Sequence, residues 1–217
     1  AKYLANPQSK RLGLIGAGPI SAQHIHCLQT IFPHLHQVSV YDINRKRAEQ
    51  FRGQVSEAFN IDVSVASSYE EAIREQDIVI VATNTNDAFI DGSHLSPGCF
   101  FSNVGIMEAK VSVIQRASHV VVDDFEQCTQ KDCPLTRALS EKIITRSSIY
   151  ELGAIVAQKT PVTRAQDDIV FFNAIGMGLV DTVCAAYFLK RAQEMQAGHF
   201  LQLKGDFYDE FGLPAKL

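Results

Sequence analysis

Short apolar runs separated by stretches of helical spacing set the frame of this chain. RLGLI (11–15), VSVYD (38–42), IDVSV (61–65), DIVIVAT (77–83), CFFSNV (99–104), HVVVD (119–123) and DIVFFN (168–173) have strand length and are rich in β-branched and aromatic residues. Between them apolar residues recur three or four positions apart: Ala48, Phe51, Val55 and Ala58; then Ala109, Val113 and Ala117; then Leu135, Leu139 and Ile143. Ser68 with Glu71 three residues on reads as a capping box opening a further short helix. Strands alternating with helices predict an α/β fold, and a run as continuous as DIVIVAT predicts a strand covered on both faces. The expected architecture is a doubly wound, Rossmann-type parallel sheet, with one or two helices and an irregular stretch before its last strand. A long helix follows over 177–196, whose apolar face (Val180, Val183, Cys184, Tyr187, Phe188) is wide enough to pack on another domain or subunit. The tail beyond Gly198, with Phe200, Leu201, Phe207, Tyr208, Phe211 and Leu213, is too aromatic to stay in water. Two regions result: a nucleotide-binding domain over 8–176, and a helix and tail over 177–217 that return to a second domain.

The segment from Arg11 to Asn44 gives the first domain its chemistry. In a strand, turn and helix of this kind the first glycine, Gly16, makes the tight turn, and the second, Gly18, lets the backbone approach a pyrophosphate. Pro19 opens the helix where its missing N–H costs nothing, and the free amides of that first turn, with Ile20 among them, face the phosphates. Ser21 holds the third fingerprint position and is small enough to keep helix and strand close. Asp42 ends the second strand about twenty residues on, where a carboxylate accepts both ribose hydroxyls of an adenosine. That placement favours NAD, since a 2′-phosphate would meet a like charge. Asn44 and Arg45 beside it are candidate cofactor contacts, and the cations Arg45 and Lys46 leave NADP open.

Composition narrows the class. The 217 residues, 46% hydrophobic and 20% charged, suffice for a full core. A formal charge of −4 gives no basic field for nucleic acid or anionic lipid, and no apolar run approaches membrane-spanning length. Five cysteines without C-x-x-C spacing suit buried thiols in a reducing, cytoplasmic setting. AKYLANPQSK, beginning on Ala1, reads as the end of a helix whose start lies upstream. His24, His26, His34 and His36 cluster near the first helix, but i, i+2 spacing points rings apart, and no metal is expected. Asp123-Asp124 suits a helix N-cap better than a cation site.

Ligands of such sheets lie at the carboxyl ends of the strands. Those loops carry Thr83 and Asn84, then Val104 and Gly105 followed by Ile106, Met107 and Glu108, and finally Ala174 and Ile175. Glu108 is the sole carboxylate of its loop and a candidate base, although a helix-opening Glu favoured by the dipole explains it as well.

LGLIGAGPISAQHIHCL, VYDINRKRAEQF, DIVIVATNTNDAFI, SNVGIME, VVVDDFEQ and DDIVFFNAIGMGLVD together resemble the ornithine cyclodeaminase and μ-crystallin family over nearly the whole chain. In that family an N-terminal segment joined by the C-terminal helix forms the substrate and dimer domain. The resemblance therefore implies that the 177–217 region belongs to a domain whose N-terminal part is missing here. It implies NAD contact by Gly16, Gly18, Pro19, Ile20, Asp42, Thr83, Val104, Gly105 and Ile175, with Met107 and Ala174 lining the site.

The cyclising deaminases of the family carry V-G-x-D-x-P-G-K, whose aspartate is their acid/base. Here Met107 stands at that position, which weighs against ornithine cyclisation. The SNVGIMEAK form resembles instead the siderophore-pathway branch that oxidises N-(1-amino-1-carboxy-2-ethyl)-glutamate with NAD to L-2,3-diaminopropionate and 2-oxoglutarate. That reading implies a small amino-acid substrate, a homodimer, and a pyridoxal-phosphate enzyme of the cysteine-synthase type as pathway partner. Ornithine cyclodeaminase, alanine dehydrogenase and ketimine reductase activities of the same family remain open, as does a nucleotide-binding protein without turnover.

Overall fold

A computed structural model describes residues 1–199. The aromatic tail residues named above, from Phe200 onward, lie outside the described residues. The elements run β1 (Arg11–Ile15), α1 (Pro19–Ile31), β2 (Gln37–Tyr41), α2 (Arg45–Phe59), β3 (Asp62–Val65), α3 (Tyr69–Ile73) and β4 (Ile78–Val81). They continue with β5 (Phe100–Asn103), α4 (Val111–Arg116), β6 (His119–Val122), α5 (Phe125–Cys128), α6 (Pro134–Ser140), β7 (Ile149–Glu151), α7 (Leu152–Val156), β8 (Val170–Asn173) and α8 (Gly178–Glu194). The strands form one 8-stranded sheet in the order β3-β2-β1-β4-β5-β8-β6-β7, and every pairing is parallel.

Alternate residues of each strand feed opposite faces, as the pleat requires. Leu12, Leu14, Val38, Val40, Ile78, Ile80 and Phe100 pack with Ile25 and Leu28 of α1, Phe51 and Val55 of α2 and Ile155 of α7. Ile15, Val79, Val81, Phe101, Val122 and Phe171 pack with Ile73 of α3, Val113 and Ile114 of α4 and Leu135 of α6. Helices on both faces make the sheet doubly wound. At its centre Phe101 and Phe171 stack across β5 and β8 with ring centroids 5.9 Å apart, both fully buried. Burial of such a ring stabilises by about 1.5–3 kcal/mol.

The 124–167 stretch holds three short helices and an edge strand, β7, that the pattern does not show. Three residues, IYE, following a tight 3-10 turn are too few to display alternation. At α3 the cap is half the expected box: Ser68 accepts from the Glu71 amide at 3.3 Å, but the Glu71 carboxylate reaches back to the amide (2.7 Å) and hydroxyl of Ser67 rather than to Ser68. The first residues form a turn, closed by the Leu4 and Ala5 amides on Ala1 O.

The chain divides into two compact units, Ala1–Gly176 and Met177–Leu217. In the second, α8 is two residues shorter at its C-terminal end than expected. It leaves Leu179, Val180, Val183, Tyr187, Phe188 and Leu189 all more than half exposed. No helix among the described residues is long and apolar enough to cross a membrane.

Candidate functional site

The carboxyl ends of β1, β2 and β4 enclose a crevice of about 540 Å³. Gly16 leaves β1 at φ +100°, its amide bonded to Tyr41 O at 2.8 Å, and a Cβ there would lie 2.5 Å from Ala82 O. Only glycine fits both the backbone angle and that approach. Gly18 is the N-cap of α1 in ordinary extended backbone (φ −109°, ψ 174°), with Pro19 at the first helical position. A Cβ on Gly18 would meet nothing closer than the tip of Arg47, at 3.5 Å. This glycine is therefore not required by the fold, and its bare backbone is open to a ligand. Ser21, fully buried, donates its hydroxyl to Gly16 O and ties helix to turn, more than the smallness expected of it.

Asp42 stands where the pattern places it. One carboxylate oxygen accepts the Ala17 amide at 2.8 Å and the other the Asn44 amide at 2.9 Å. A carboxylate has about four acceptor sites, so both oxygens keep capacity for hydroxyls. Two expected contacts do other work. Asn44 caps α2, its side chain accepting from the Arg47 amide at 3.2 Å, and Arg45 pairs with Glu49 at 3.6 Å; neither lines the crevice.

The cation that does line it is Arg47, which the sequence reading passed over. Its Nε donates to Ala17 O at 3.1 Å, which holds the guanidinium against the glycine turn. Its position in the first turn of the helix following the acid was the available signal. Ile43, 94% exposed beside Asp42, offers an apolar platform. Across the crevice Tyr69 meets Phe89 edge-on at 5.2 Å, and burial, followed by a hydrogen bond with Glu70, pushes its phenol up to about 12. Tyr69 opens α3 and Phe89 lies in the segment after β4, and nothing local in the sequence announces their meeting. Thr83 and Asn84 complete the β4 side.

Val104, Gly105, Met107, Ala174 and Ile175 do not line this crevice; they sit in the loops that leave the neighbouring strands β5 and β8. Asn103 links those ends, its Nδ2 donating to Ile106 O at 2.6 Å and to Asn173 Oδ1 at 3.1 Å. Ile106 is held at φ +81°, a region that costs a β-branched residue about 1–3 kcal/mol. Asp124 caps α5 as expected, accepting from the Gln127 amide at 2.8 Å. Asp123 has a role the sequence did not disclose: its two oxygens accept the amides of Ile175 (3.1 Å) and Gly176 (2.8 Å) and fix the loop after β8. The helix-opening reading of Glu108 is corrected. The α4 N-cap is Lys110, and Glu108 lies ahead of it, fully buried, with its carboxylate turned back to Thr83. Among the described residues no cluster of three or more His, Cys, Asp or Glu is arranged to hold a metal ion.

The model of the ornithine cyclodeaminase/mu-crystallin family matches residues 1–196. The chain is 30% identical over 94% of its length to N-((2S)-2-amino-2-carboxyethyl)-L-glutamate dehydrogenase of Staphylococcus aureus, of which it covers 61%. It is 27% identical over 93% of its length to a Delta(1)-pyrroline-2-carboxylate reductase of Bacillus cereus, of which it covers 63%. The solved Delta(1)-pyrroline-2-carboxylate reductase of Thermococcus litoralis, in complex with NADH and L-proline, superposes with a TM-score of 0.86 at 26% identity. That match covers 92% of this chain and 63% of the other. The chain thus spans about three-fifths of the length of the curated relatives it matches. With a doubly wound sheet, a glycine turn open at Gly18 and an acid at the end of β2, the chain belongs to the ornithine cyclodeaminase/mu-crystallin family.

Proposed function

We propose that this chain carries the NAD-binding part of a dehydrogenase acting on a CH–NH bond of an amino-acid substrate. The observation that carries the reading is the pairing of an open Gly18 at the α1 N-terminus with a partly unsatisfied Asp42 across one crevice. The pair fits a dinucleotide: amides and the Arg47 guanidinium for the pyrophosphate, and the Asp42 carboxylate for the adenosine hydroxyls. Ile43 offers a flat apolar surface to the adenine. Bound NAD would supply the hydride acceptor. The chain supplies position: Asp123 and Asn103 hold the loops after β8 and β5, and with them Ile175, Val104 and Gly105, at the β5–β8 end of the sheet edge.

For the substrate, the S. aureus relative and Met107 at the place of the cyclase aspartate support oxidation of N-(1-amino-1-carboxy-2-ethyl)-glutamate. With NAD and one water this gives L-2,3-diaminopropionate, 2-oxoglutarate and NADH. A thioether neither takes nor gives a proton, so a group other than Met107 handles protons. The second reading, a reductase of cyclic imino acids, rests on the Bacillus and Thermococcus relatives. Incubation of the whole protein with each substrate decides: NADH released in proportion to 2-oxoglutarate supports the first. NADH consumed with pyrroline-2-carboxylate supports the second, and proline and ammonia from ornithine without net NADH would overturn both.

The exposed apolar face of α8 suits a homodimer, in a substrate and dimer domain to which 177–217 would belong. Light scattering that finds a clean monomer of the whole protein would refute this. A cytoplasmic location and a pyridoxal-phosphate enzyme as supplier of the substrate belong to the same proposal.

A further inference from the structure

Glu108 is a carboxylate in an apolar place. It is fully buried, between Ala109 and the β5 exit, and no cation among the described residues pairs with it. Its Oε1 accepts the Thr83 hydroxyl at 2.7 Å and the Thr83 amide at 3.2 Å, while Oε2 is buried without a protein partner. An unsatisfied buried carboxylate oxygen opposes folding, so packing alone would favour an apolar side chain here. The backbone adapts to it as well. The carboxylate occupies the space that a Cβ on Gly105 would fill, so Gly105 has to be glycine for Glu108 to reach Thr83. The main-chain carbonyl of Glu108 meanwhile accepts the Phe89 and Ile90 amides at 2.9 Å each, a task any residue could perform. What the side chain adds is the constraint on Thr83.

Thr83 lines the cofactor crevice at the end of β4. A hydroxyl has one proton and two acceptor sites. With the proton committed to Glu108, and one acceptor site facing the Thr85 amide at a long 3.4 Å, the oxygen can meet a ligand only as an acceptor. Resting on the NAD reading above, the geometry points to Glu108 as a positioning residue. It fixes the Thr83 hydroxyl as a hydrogen-bond acceptor for a donor on the nicotinamide-riboside half of the cofactor, and it ties the β4 exit to the Gly105 loop. Asp42 and Gly18 serve the adenosine and pyrophosphate half independently.

The test is a double-mutant cycle read by calorimetric titration of the whole protein with NAD and, separately, with ADP, which lacks the nicotinamide riboside. Thr83→Val and Glu108→Ala should each weaken NAD about tenfold, and the double variant no more than either alone, because both remove one shared contact. ADP affinity should be unchanged in all three, and Glu108→Gln, which keeps an acceptor oxygen toward Thr83, should restore NAD binding. Additive losses, or ADP weakened along with NAD, would assign Glu108 to the fold alone and overturn the inference. Should Glu108→Ala not fold, Thr83→Val made in the wild-type and Glu108→Gln backgrounds carries the test. Unchanged NAD affinity in either background overturns it. A wild-type protein that binds ADP but not NAD refutes the NAD reading itself, a different failure.

Discussion

Gly16 and Gly18 lie two residues apart in one turn, and replacing each by alanine should produce opposite defects. Gly18 sits at φ −109° and ψ 174°, where any residue is at ease, and its added methyl would touch only the flexible end of Arg47 at 3.5 Å. Gly18→Ala should leave stability unchanged or raise it by about 0.4–1 kcal/mol through the unfolded chain. In the proposed NAD site the same methyl stands where the pyrophosphate would approach, and losing one charge-assisted hydrogen bond, about 1.5–3 kcal/mol, should weaken NAD roughly 10- to 100-fold. At NAD one hundred times the wild-type Kd, binding stabilises the wild type by about 2.7 kcal/mol, and a variant weakened 100-fold by only about 0.4. For a chain of this size that is a rise in Tm of about 5–10 °C against about 1 °C.

Gly16→Ala reverses the pattern. At φ +100°, with Ala82 O 2.5 Å from the new methyl, both a left-handed residue and a backbone collision between β1 and β4 must be accommodated. Together these cost about 2–4 kcal/mol, or roughly 5–15 °C in Tm without ligand. Thermal melts of both variants with and without NAD separate the two roles. A Gly18→Ala protein that melts below the wild type, or that keeps its full shift with NAD, would refute the assignment of this glycine to the ligand.

Asp42→Ala removes two acceptors from the adenosine end, and NAD should bind on the order of tenfold or more weakly, with the NAD to NADP preference shrinking; titration of both cofactors checks it, and an unchanged ratio would count against the acid's role. Thiol titration of the native protein at neutral pH should find Cys27 and Cys184 reactive and Cys99, Cys128 and Cys133 silent until denaturation. The last three are fully buried, and burial pushes the Cys99 and Cys128 thiols up to about 12. Asp168 is held below the usual 3.8, first by the Ala165 amide and then by His119. A carboxyl whose folded value is depressed favours the fold only while ionised, so its contribution is complete above about pH 5 and fades as pH falls through the folded value. Melting curves should be flat in this respect near neutrality and fall below about pH 4, less steeply in Asp168→Asn.

What the sequence disclosed of the site was the part built from consecutive residues. Gly16, Gly18, Pro19 and Asp42 act through a turn, a cap and a strand end that are local events, and spacing along the chain is enough to place them. Arg47 needed the tertiary fact that α2 starts close enough to the glycine turn for a side chain to cross to Ala17. Tyr69 and Phe89 meet only because α3 crosses the sheet to lie over β1 and β2. Glu108 shows the limit most clearly. An acid a few residues ahead of a helix looks like a partner for the helix dipole, and only the closeness of the β4 and β5 exits reveals that it is buried against Thr83 instead. The edge strand β7 escaped because three residues cannot display a period of two.

The sheet order explains why the bonds that hold the second half of the site together, unlike the residues themselves, could not be found by reading along the chain. β8 is last in sequence among the strands yet lies between β5 and β6, so the loop it opens is pressed between two loops made much earlier. Asn103 from β5 reaches Asn173 from β8, and Asp123, after β6, receives the amides of Ile175 and Gly176. These bonds span sequence separations of 70, 52 and 53 residues. Each closes only when β8 has docked. The crevice proposed for the adenosine half, by contrast, is finished once β1, β2 and β4 are paired. A destabilised β8 should therefore cost the loops proposed for the nicotinamide their geometry before the glycine turn loses its own.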